Sequence, residues 1–159
     1  MELIKRKRIR IKDYDYSTSG AYFITVCTYN RLSILSQIVG QGLAPAEARL
    51  TITGEMVKAE LLDLENRYQN VRVPKYVIMP NHIHAIIVLE ETAAGASPCP
   101  TLSDIVCVFK SISARKSNIK LWQSSFYDHV IRDESDYLEI VEYIENNPAK
   151  WQEDKYFEG

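Results

Sequence analysis

Two histidines separated by one residue are the most chemically informative feature of the sequence. They lie in the segment 80–85 (PNHIHA), and the whole chain contains only three histidines. In a β-strand, side chains two positions apart share a face and lie about 6.7 Å apart along the backbone. Two imidazoles on one face can hold a divalent ion but do not complete a site. The spacing therefore predicts a metal site at His82 and His84 with a further ligand from elsewhere. The alternative is two half-exposed histidines on a sheet face.

A tyrosine and an asparagine near the C-terminus offer complementary chemistry. Tyr143 and Asn147 are four residues apart, which makes them neighbours on one face of a helix. An asparagine carbonyl oxygen is a suitable third ligand for a hard cation. A phenol beside a metal ion is a possible nucleophile, because coordination lowers its pKa from about 10. Since the chain has ten tyrosines, packing on an amphipathic helix is the alternative role for Tyr143.

Four strands are predicted from runs of β-branched and aromatic residues bounded by turn residues. They cover 21–28, 71–79 and 82–89, with a fourth inside 121–131, while 40–45 and 90–100 are predicted connections. The second and third strands are separated only by Pro80-Asn81, so they should form an antiparallel hairpin.

Three helices are predicted from apolar periodicity and N-cap residues. Thr53 is the predicted cap of the first, whose apolar positions run from Val57 to Tyr68. Thr101 with Asp104 forms a capping box for the second. Asp133 is the predicted cap of the third, which Pro148 ends.

The resulting order is strand, helix, strand, strand, helix, strand, helix. It predicts an α+β fold, a ferredoxin-like split β-α-β sandwich with a four-stranded antiparallel sheet and helices on one face. The right-handed crossover rule places the first and third strands centrally and leaves the C-terminal helix free to lie across the sheet. The fold class alone does not specify a function.

Composition predicts one soluble domain over residues 1–159. Hydrophobic residues make up 46% of the chain and charged residues 25%, as in ordinary globular proteins. The sequence has no run of about 20 apolar residues and no secretory apolar segment, so we expect no membrane association. Three cysteines without C-x-x-C spacing predict reduced thiols and a cytoplasmic location.

The net charge of −2 conceals an uneven distribution. Residues 1–12 form a basic arm that holds six bases and one acid, so the remaining 147 residues carry a net charge of −7. A basic arm on an acidic body suggests a polyanionic partner met at one place, or otherwise a solubilising tail. A second basic group lies on and after the second predicted helix. The candidate nucleic-acid contacts in the two groups are Lys5, Arg6, Lys7, Arg8, Arg10, Lys12, Lys110, Arg115 and Lys116. A solvated surface is the alternative for the second group.

Three segments resemble the single-tyrosine transposases whose histidine pair flanks a hydrophobic residue (HUH transposases). They are YDYSTSGAYFITVCT, YVIMPNHIHAIIVL and WQSSFYDHVIRDESDYLEIVEYIENNPAKW, and the closest resemblance is to the REP-associated and insertion-sequence members. The resemblance implies that His82 and His84 bind metal, that Tyr143 is the nucleophile, and that Asn147 is the polar third ligand. All four positions match the pattern.

The resemblance further implies a substrate and a reaction. The substrate is single-stranded DNA folded as an imperfect-palindrome hairpin, cut and rejoined through a 5′-phosphotyrosine link with Mg²⁺ or Mn²⁺. A nucleoid-associated cytoplasmic location and a possible homodimer are also implied. Two alternatives stay open from the sequence: a metal-dependent nuclease that uses water, and a hairpin-binding regulator that does not cut.

Overall fold

The chain alternates strands and helices in the predicted order, with one additional hairpin. The computed structural model describes residues 19–40, 46–91 and 100–157. Its elements are β1 (Gly20–Cys27), β2 (Ser36–Val39), β3 (Glu47–Leu50), α1 (Ile52–Arg67), β4 (Val71–Ile78), β5 (His82–Leu89), α2 (Leu102–Ser117), β6 (Tyr127–Ile131) and α3 (Glu134–Asn146). Short 3-10 turns cover 29–31 and 151–153. Among the described helices, none is long and apolar enough to cross a membrane.

The main sheet is antiparallel with the strand order β4-β5-β1-β6, so β5 and β1 are central as predicted. In the register of these two strands, Cys27 lies opposite His82 and Thr25 lies opposite His84. Opposed residues in an antiparallel pair point to the same face. The register therefore places the β1 side chains Thr25 and Cys27 beside the two histidines.

The two faces of the sheet are covered by different helices. α1 and α2 pack on the face that carries Tyr22, Ile24, Ile83 and Ala85. The opposite face carries Phe23 and Ile86, which form a smaller cluster with Ile144 of α3. Because side chains alternate along a strand, His82 and His84 share a face with Ile86. The predicted α+β sandwich is confirmed, and its C-terminal helix lies on the histidine face.

The start of α1 differs from the prediction. Thr51, not Thr53, is the N-cap, and its side chain accepts a hydrogen bond from Gly54 N at 3.0 Å. Thr51 also donates to the Ile34 carbonyl at 2.7 Å. Thr51 directly follows β3, which pairs with β2. The short β2–β3 hairpin was not predicted because neither strand has a clear alternating pattern. Tyr68, predicted as helical, is the C-cap of α1.

The other predicted caps are confirmed. Thr101 and Asp104 form a reciprocal capping box at the start of α2. Asp133 accepts from Asp136 N at 2.8 Å and begins α3. α3 ends at Asn146, with Asn147 as the C-cap directly before Pro148. The helix therefore ends shortly after Tyr143, whose ring faces Phe23 of the sheet.

Candidate active site

The two histidines are fully buried at the edge where β5 begins. His82 is 0% and His84 1% exposed, in contrast to the half-exposed pair that was the alternative. Their ring centroids are 4.6 Å apart. The ring of His84 stacks on Phe23 with a centroid separation of 5.2 Å. The pair is thus held by packing as well as by hydrogen bonds.

Hydrogen bonds at Nδ1 orient both imidazoles. Asn81 donates from Nδ2 to the Tyr156 carbonyl at 2.6 Å, so its Oδ1 must be the atom that faces His82. His82 Nδ1 lies 2.8 Å from that oxygen and therefore donates, which leaves the lone pair on Nε2. His84 Nδ1 lies 2.8 Å from the Thr25 hydroxyl. Partners of this kind at the second nitrogen are typical of metal-binding histidines.

Three buried polar atoms converge without a hydrogen-bond partner among the described residues. They are Nε2 of His82, Nε2 of His84 and Oδ1 of Asn147. The side chain of Asn147 lies next to His82. Buried polar groups are normally satisfied, so a cluster of lone pairs fits a bound cation. The predicted ligand Asn147 therefore lies with the two histidines.

Asp154 joins this cluster and was missed from the sequence. Its Oδ2 is 3.7 Å from His82 Nε2, and ligand atoms of the two histidines and Asp154 all lie within 4.8 Å of one another. It comes from the segment 151–157, which folds back over the histidines and places Tyr156 4.6 Å from the His82 ring. Asp154 follows the end of α3, and nothing in the local sequence distinguishes it from Glu153. Only the path of the chain brings it to the site.

Tyr143 borders the same cluster from α3. Its ring centroid is 5.3 Å from that of His84 and 6.0 Å from that of Phe23. The residue is 44% exposed, so its side chain is partly accessible although its ring is packed. Asn147 Nδ2 donates to the Tyr143 backbone carbonyl at 3.5 Å. One chain thus brings together all four predicted site residues.

Comparisons with known proteins show which proteins the chain resembles. No model of a known protein family matches the chain. An uncharacterized protein of Haemophilus influenzae is 35% identical over 172 aligned positions, which cover 96% of this chain and 93% of that protein. The REP-associated tyrosine transposase of Escherichia coli is 28% identical over 135 positions, which cover 85% of this chain and 70% of that protein. In sequence, the chain is therefore similar to a REP-associated tyrosine transposase.

Solved transposase structures share the fold. A REP-associated tyrosine transposase bound to a REP hairpin matches with a TM-score of 0.66 and 22% identity, over 89% of this chain and 73% of that one. A chain assigned as a transposase of Deinococcus radiodurans matches with a TM-score of 0.50 and 21% identity, over 86% and 95% of the two chains. The chain therefore has the fold of these transposases over most of its length.

Burial keeps the imidazoles of His82 and His84 neutral, so that their nitrogens can act as donors. It lowers the pKa of His82 to about 3, with the Lys155 charge acting in the same direction. Burial also lowers the pKa of His84 well below its usual value. Unprotonated imidazoles are the form that binds metal. Burial raises the pKa of the Cys27 thiol to about 11, so this neighbour of His82 stays a neutral thiol.

The two buried histidines predict that the metal-free protein is less stable at acidic pH. An unfolded histidine has a pKa of about 6.5, so below that pH the unfolded chain binds protons that the folded chain excludes. Stability is therefore lost as pH falls from about 6.5 towards 3. At pH 5 His82 alone should lower the free energy of unfolding by about 2 kcal/mol, and His84 adds a loss of the same sign. Urea denaturation at pH 7.5 and 5 measures this change.

The matched control for the pH experiment is the double variant His82→Leu, His84→Leu, which cannot take up these protons. Its pH profile should be flatter than that of the wild type, so the difference between the two profiles isolates the histidines from the carboxylates. Parallel profiles would contradict the assignment.

The predicted nucleic-acid contacts differ in where the structure places them. Lys5, Arg6, Lys7, Arg8, Arg10 and Lys12 lie outside the described residues. Lys116 forms an ion pair with the buried Glu60 of α1. Lys110 donates to the Gln123 carbonyl at 2.6 Å. Arg115 is exposed in the last turn of α2. Lys110 and Lys116 therefore have structural contacts, and their role towards DNA stays a prediction.

The aromatic side chains on and before β6 differ in exposure. Trp122 is 5% exposed, and its indole donates to Ser113 Oγ at 2.8 Å. Phe126 is also 5% exposed, whereas Tyr127 is 49% exposed on β6. His129 lies 2.8 Å from Asp136 and so ties β6 to the start of α3. Trp122 and Phe126 are thus core residues.

Proposed function

We propose that this transposase cuts and rejoins hairpin-containing single-stranded DNA through a 5′-phosphotyrosine intermediate on Tyr143, with a divalent metal held by His82 and His84. The observation that carries the proposal is the cluster of partnerless buried lone pairs directly beside one accessible tyrosine. A tyrosine that served only in packing would not require buried polar atoms without hydrogen-bond partners beside it. The cluster also supplies the donor types that a divalent cation takes from proteins.

The donor set predicts which ions bind. His82 and His84 offer Nε2, while Asn147 and Asp154 offer oxygens, so the set is mixed. Mg²⁺ prefers all-oxygen octahedra, whereas Mn²⁺ accepts imidazole more readily. We therefore propose activity with either ion and tighter binding of Mn²⁺. When bound, the ion supplies Lewis-acid stabilisation of the charge on the phosphate.

Tyr143 performs the covalent step. Its oxygen attacks the phosphorus in line, the bond from phosphorus to the 3′ oxygen breaks, and the 5′ phosphate remains on the tyrosine. The phenolic proton passes to solvent, which the half-exposed hydroxyl can reach, and the departing 3′ oxygen takes up a proton. A 3′-OH can reverse the step, so rejoining needs no nucleotide cofactor. Burial raises the pKa of Tyr143, so the free protein keeps the phenol protonated until substrate and ion are present.

Hairpin DNA is the substrate class that we propose. A solved structure with the same fold is bound to a REP hairpin. The acidic body disfavours general DNA binding, so contact must be confined to selected surfaces. A cytoplasmic, nucleoid-associated location and a homodimer stay predictions.

Deleting residues 1–12 should weaken hairpin binding and flatten its salt dependence. Each phosphate neutralised on single-stranded DNA contributes about 0.7 to the slope of log K against log salt. The six bases of the arm should therefore account for a slope change of up to about 4. Fluorescence anisotropy from 50 to 300 mM salt measures it. Identical slopes for the full and the shortened chain would make the arm a solubilising tail.

The covalent adduct tests the proposed function directly. A hairpin oligonucleotide with unpaired flanks and a 3′ label is incubated with protein and Mn²⁺, then resolved on a denaturing protein gel. The label should move with the protein, because the 5′-phosphotyrosine retains the 3′ part of the strand. Mass spectrometry of the digest should place the adduct on Tyr143. Cleavage without an adduct would indicate the hydrolytic nuclease, and binding without cleavage would indicate the regulator.

A further inference from the structure

The two site histidines differ in the group that each contacts through Nδ1. His82 faces the side-chain oxygen of Asn81, which is held in place because Asn81 Nδ2 donates to the Tyr156 carbonyl. An amide oxygen can only accept, so the ring proton of His82 lies on Nδ1. His84 instead faces the hydroxyl of Thr25, with 2.8 Å between Nδ1 and Oγ1. A hydroxyl can donate or accept, so this contact is compatible with a ring proton on either nitrogen of His84.

Burial decides which way the bond between Thr25 and His84 runs in the metal-free protein. Thr25 is 3% exposed and lies opposite His84 in the register of β1 and β5. Within the described ranges, the hydroxyl has one hydrogen-bond partner, which is His84 Nδ1. If Nδ1 donated, the hydroxyl hydrogen and the Nε2 lone pair would both be buried without partners, whereas a donating hydroxyl leaves only the Nε2 hydrogen so. Because each such group is unfavourable, the hydroxyl donates and His84 carries its proton on Nε2.

Service as a metal ligand requires the other tautomer of His84. Its Nδ1 is already bonded to Thr25, so the ring can bind an ion only through the lone pair of Nε2. The proton on Nε2 then leaves, a proton is taken up on Nδ1, and the Thr25 hydroxyl rotates from donor to acceptor. The ring loses one proton, gains one and stays neutral. Its stacking on Phe23 does not depend on which nitrogen is protonated, so the ring itself need not move.

We propose that Thr25 is a positioning residue for His84, whose hydroxyl keeps the ring bonded through Nδ1 in both tautomers and lets it become a metal ligand when an ion arrives. The proposal rests on the proposed function of the histidine pair. It makes the two ligands unequal: Asn81 holds His82 ready to bind the ion, whereas His84 changes tautomer to join it. Thr25 acts only through His84, in the way that partners of the second ring nitrogen tune a metal site.

Nitrogen-15 NMR of the imidazole rings tests the tautomers directly. Protonated and unprotonated ring nitrogens have well-separated chemical shifts, and the spectrum of His84→Leu assigns the signals. In chelator-treated protein at pH 7.5, the unprotonated nitrogen should be Nε2 in His82 and Nδ1 in His84. Saturation with Mg²⁺, which is diamagnetic, should move the His84 proton to Nδ1 and leave the tautomer of His82 as it was. A proton already on Nδ1 of His84 before metal is added would overturn the proposal.

Two substitutions of Thr25 separate the hydroxyl from the packing of the side chain. Thr25→Val removes the hydroxyl at nearly constant volume and should weaken Mn²⁺ binding, measured by calorimetry, about tenfold. Thr25→Ser keeps the hydroxyl and should bind Mn²⁺ as the wild type does. In metal-free Thr25→Val, the NMR spectrum should also show His84 in both tautomers, because no hydroxyl selects one of them.

The outcomes distinguish this role from a packing role and from failure of the proposed function. Wild-type Mn²⁺ affinity in Thr25→Val, or an equal loss in Thr25→Val and Thr25→Ser, would show that the hydroxyl does not position His84. The wild-type spectrum does not depend on whether either variant folds, so it decides the metal-free tautomers in any case. Absence of metal binding by the wild type would contradict the proposed function, while the tautomers of the metal-free protein would still support or overturn the role of Thr25.

Discussion

Replacing Tyr143 with phenylalanine is expected to abolish the covalent adduct and reduce strand cleavage at least 1000-fold, because the nucleophilic oxygen is removed. The ring contacts with His84 and Phe23 do not involve that oxygen, so the packing of α3 should persist. Hairpin affinity and melting temperature should therefore match those of the wild type. The adduct gel with the 3′-labelled hairpin measures the first effect, and anisotropy measures the second.

Tyr127→Phe is the matched control for this experiment. Tyr127 is about as exposed as Tyr143, at 49% against 44%, but it lies on β6, separated from His84 by Thr25 of β1. This variant should form the adduct at the wild-type rate. An adduct that persists in Tyr143→Phe would show that another residue is the nucleophile. Persistent cleavage without any adduct would support hydrolysis by water.

Replacing His84 with leucine should reduce Mn²⁺ affinity at least 100-fold and remove metal-dependent cleavage. One of two nitrogen donors is lost, and removing even an outer-shell partner of a metal ligand costs 10–100-fold in affinity. Leucine fills similar space and can pack against Phe23 where the imidazole does, so the metal-free fold should survive. Calorimetric titration with MnCl₂ and MgCl₂, after treatment with a chelator, measures the change directly. Thermal stabilisation by metal is a second readout.

His129→Gln provides the control for nonspecific loss of a histidine, because His129 contacts Asp136 outside the site. It should retain wild-type metal affinity. Asn147→Ala and Asp154→Asn then rank the two oxygen donors: the larger loss of affinity identifies the stronger ligand. Wild-type affinity in His84→Leu would contradict the proposed metal site.

The fold and the relative placement of the four candidate site residues could be predicted from the sequence because their signals are local. Alternation along 82–89 determines that His82 and His84 share a face. The Asp133 cap and Pro148 define the ends of α3, and helical geometry then makes Tyr143 and Asn147 neighbours. The capping box at Thr101 and Asp104 is equally local. Each of these depends on residues within a few positions of one another.

Other features could not be predicted because they depend on distant contacts. The N-cap of α1 is Thr51 and not the predicted Thr53, because the Thr51 hydroxyl donates a hydrogen bond to the Ile34 carbonyl across the β2–β3 hairpin. From the sequence, Lys116 was predicted to be a DNA contact or a solvated base. The structure shows that it pairs with Glu60 of α1. Tyr29 had no sequence signal, since its exposure and its contact with Lys120 depend on how the segment after β1 pairs with the segment before β6.

The sequence by itself determined the face on which the histidines lie, the phase of the tyrosine helix and the residue types available for chemistry. Tertiary structure decided that α3 covers the histidine face, that both imidazoles are buried with Nε2 turned inward, and that Asp154 returns to meet them. The physical reason is the difference in sequence separation between the interactions involved. Alternation and helical periodicity act over a few residues, whereas burial and convergent lone pairs arise only when segments far apart in the chain exclude water together.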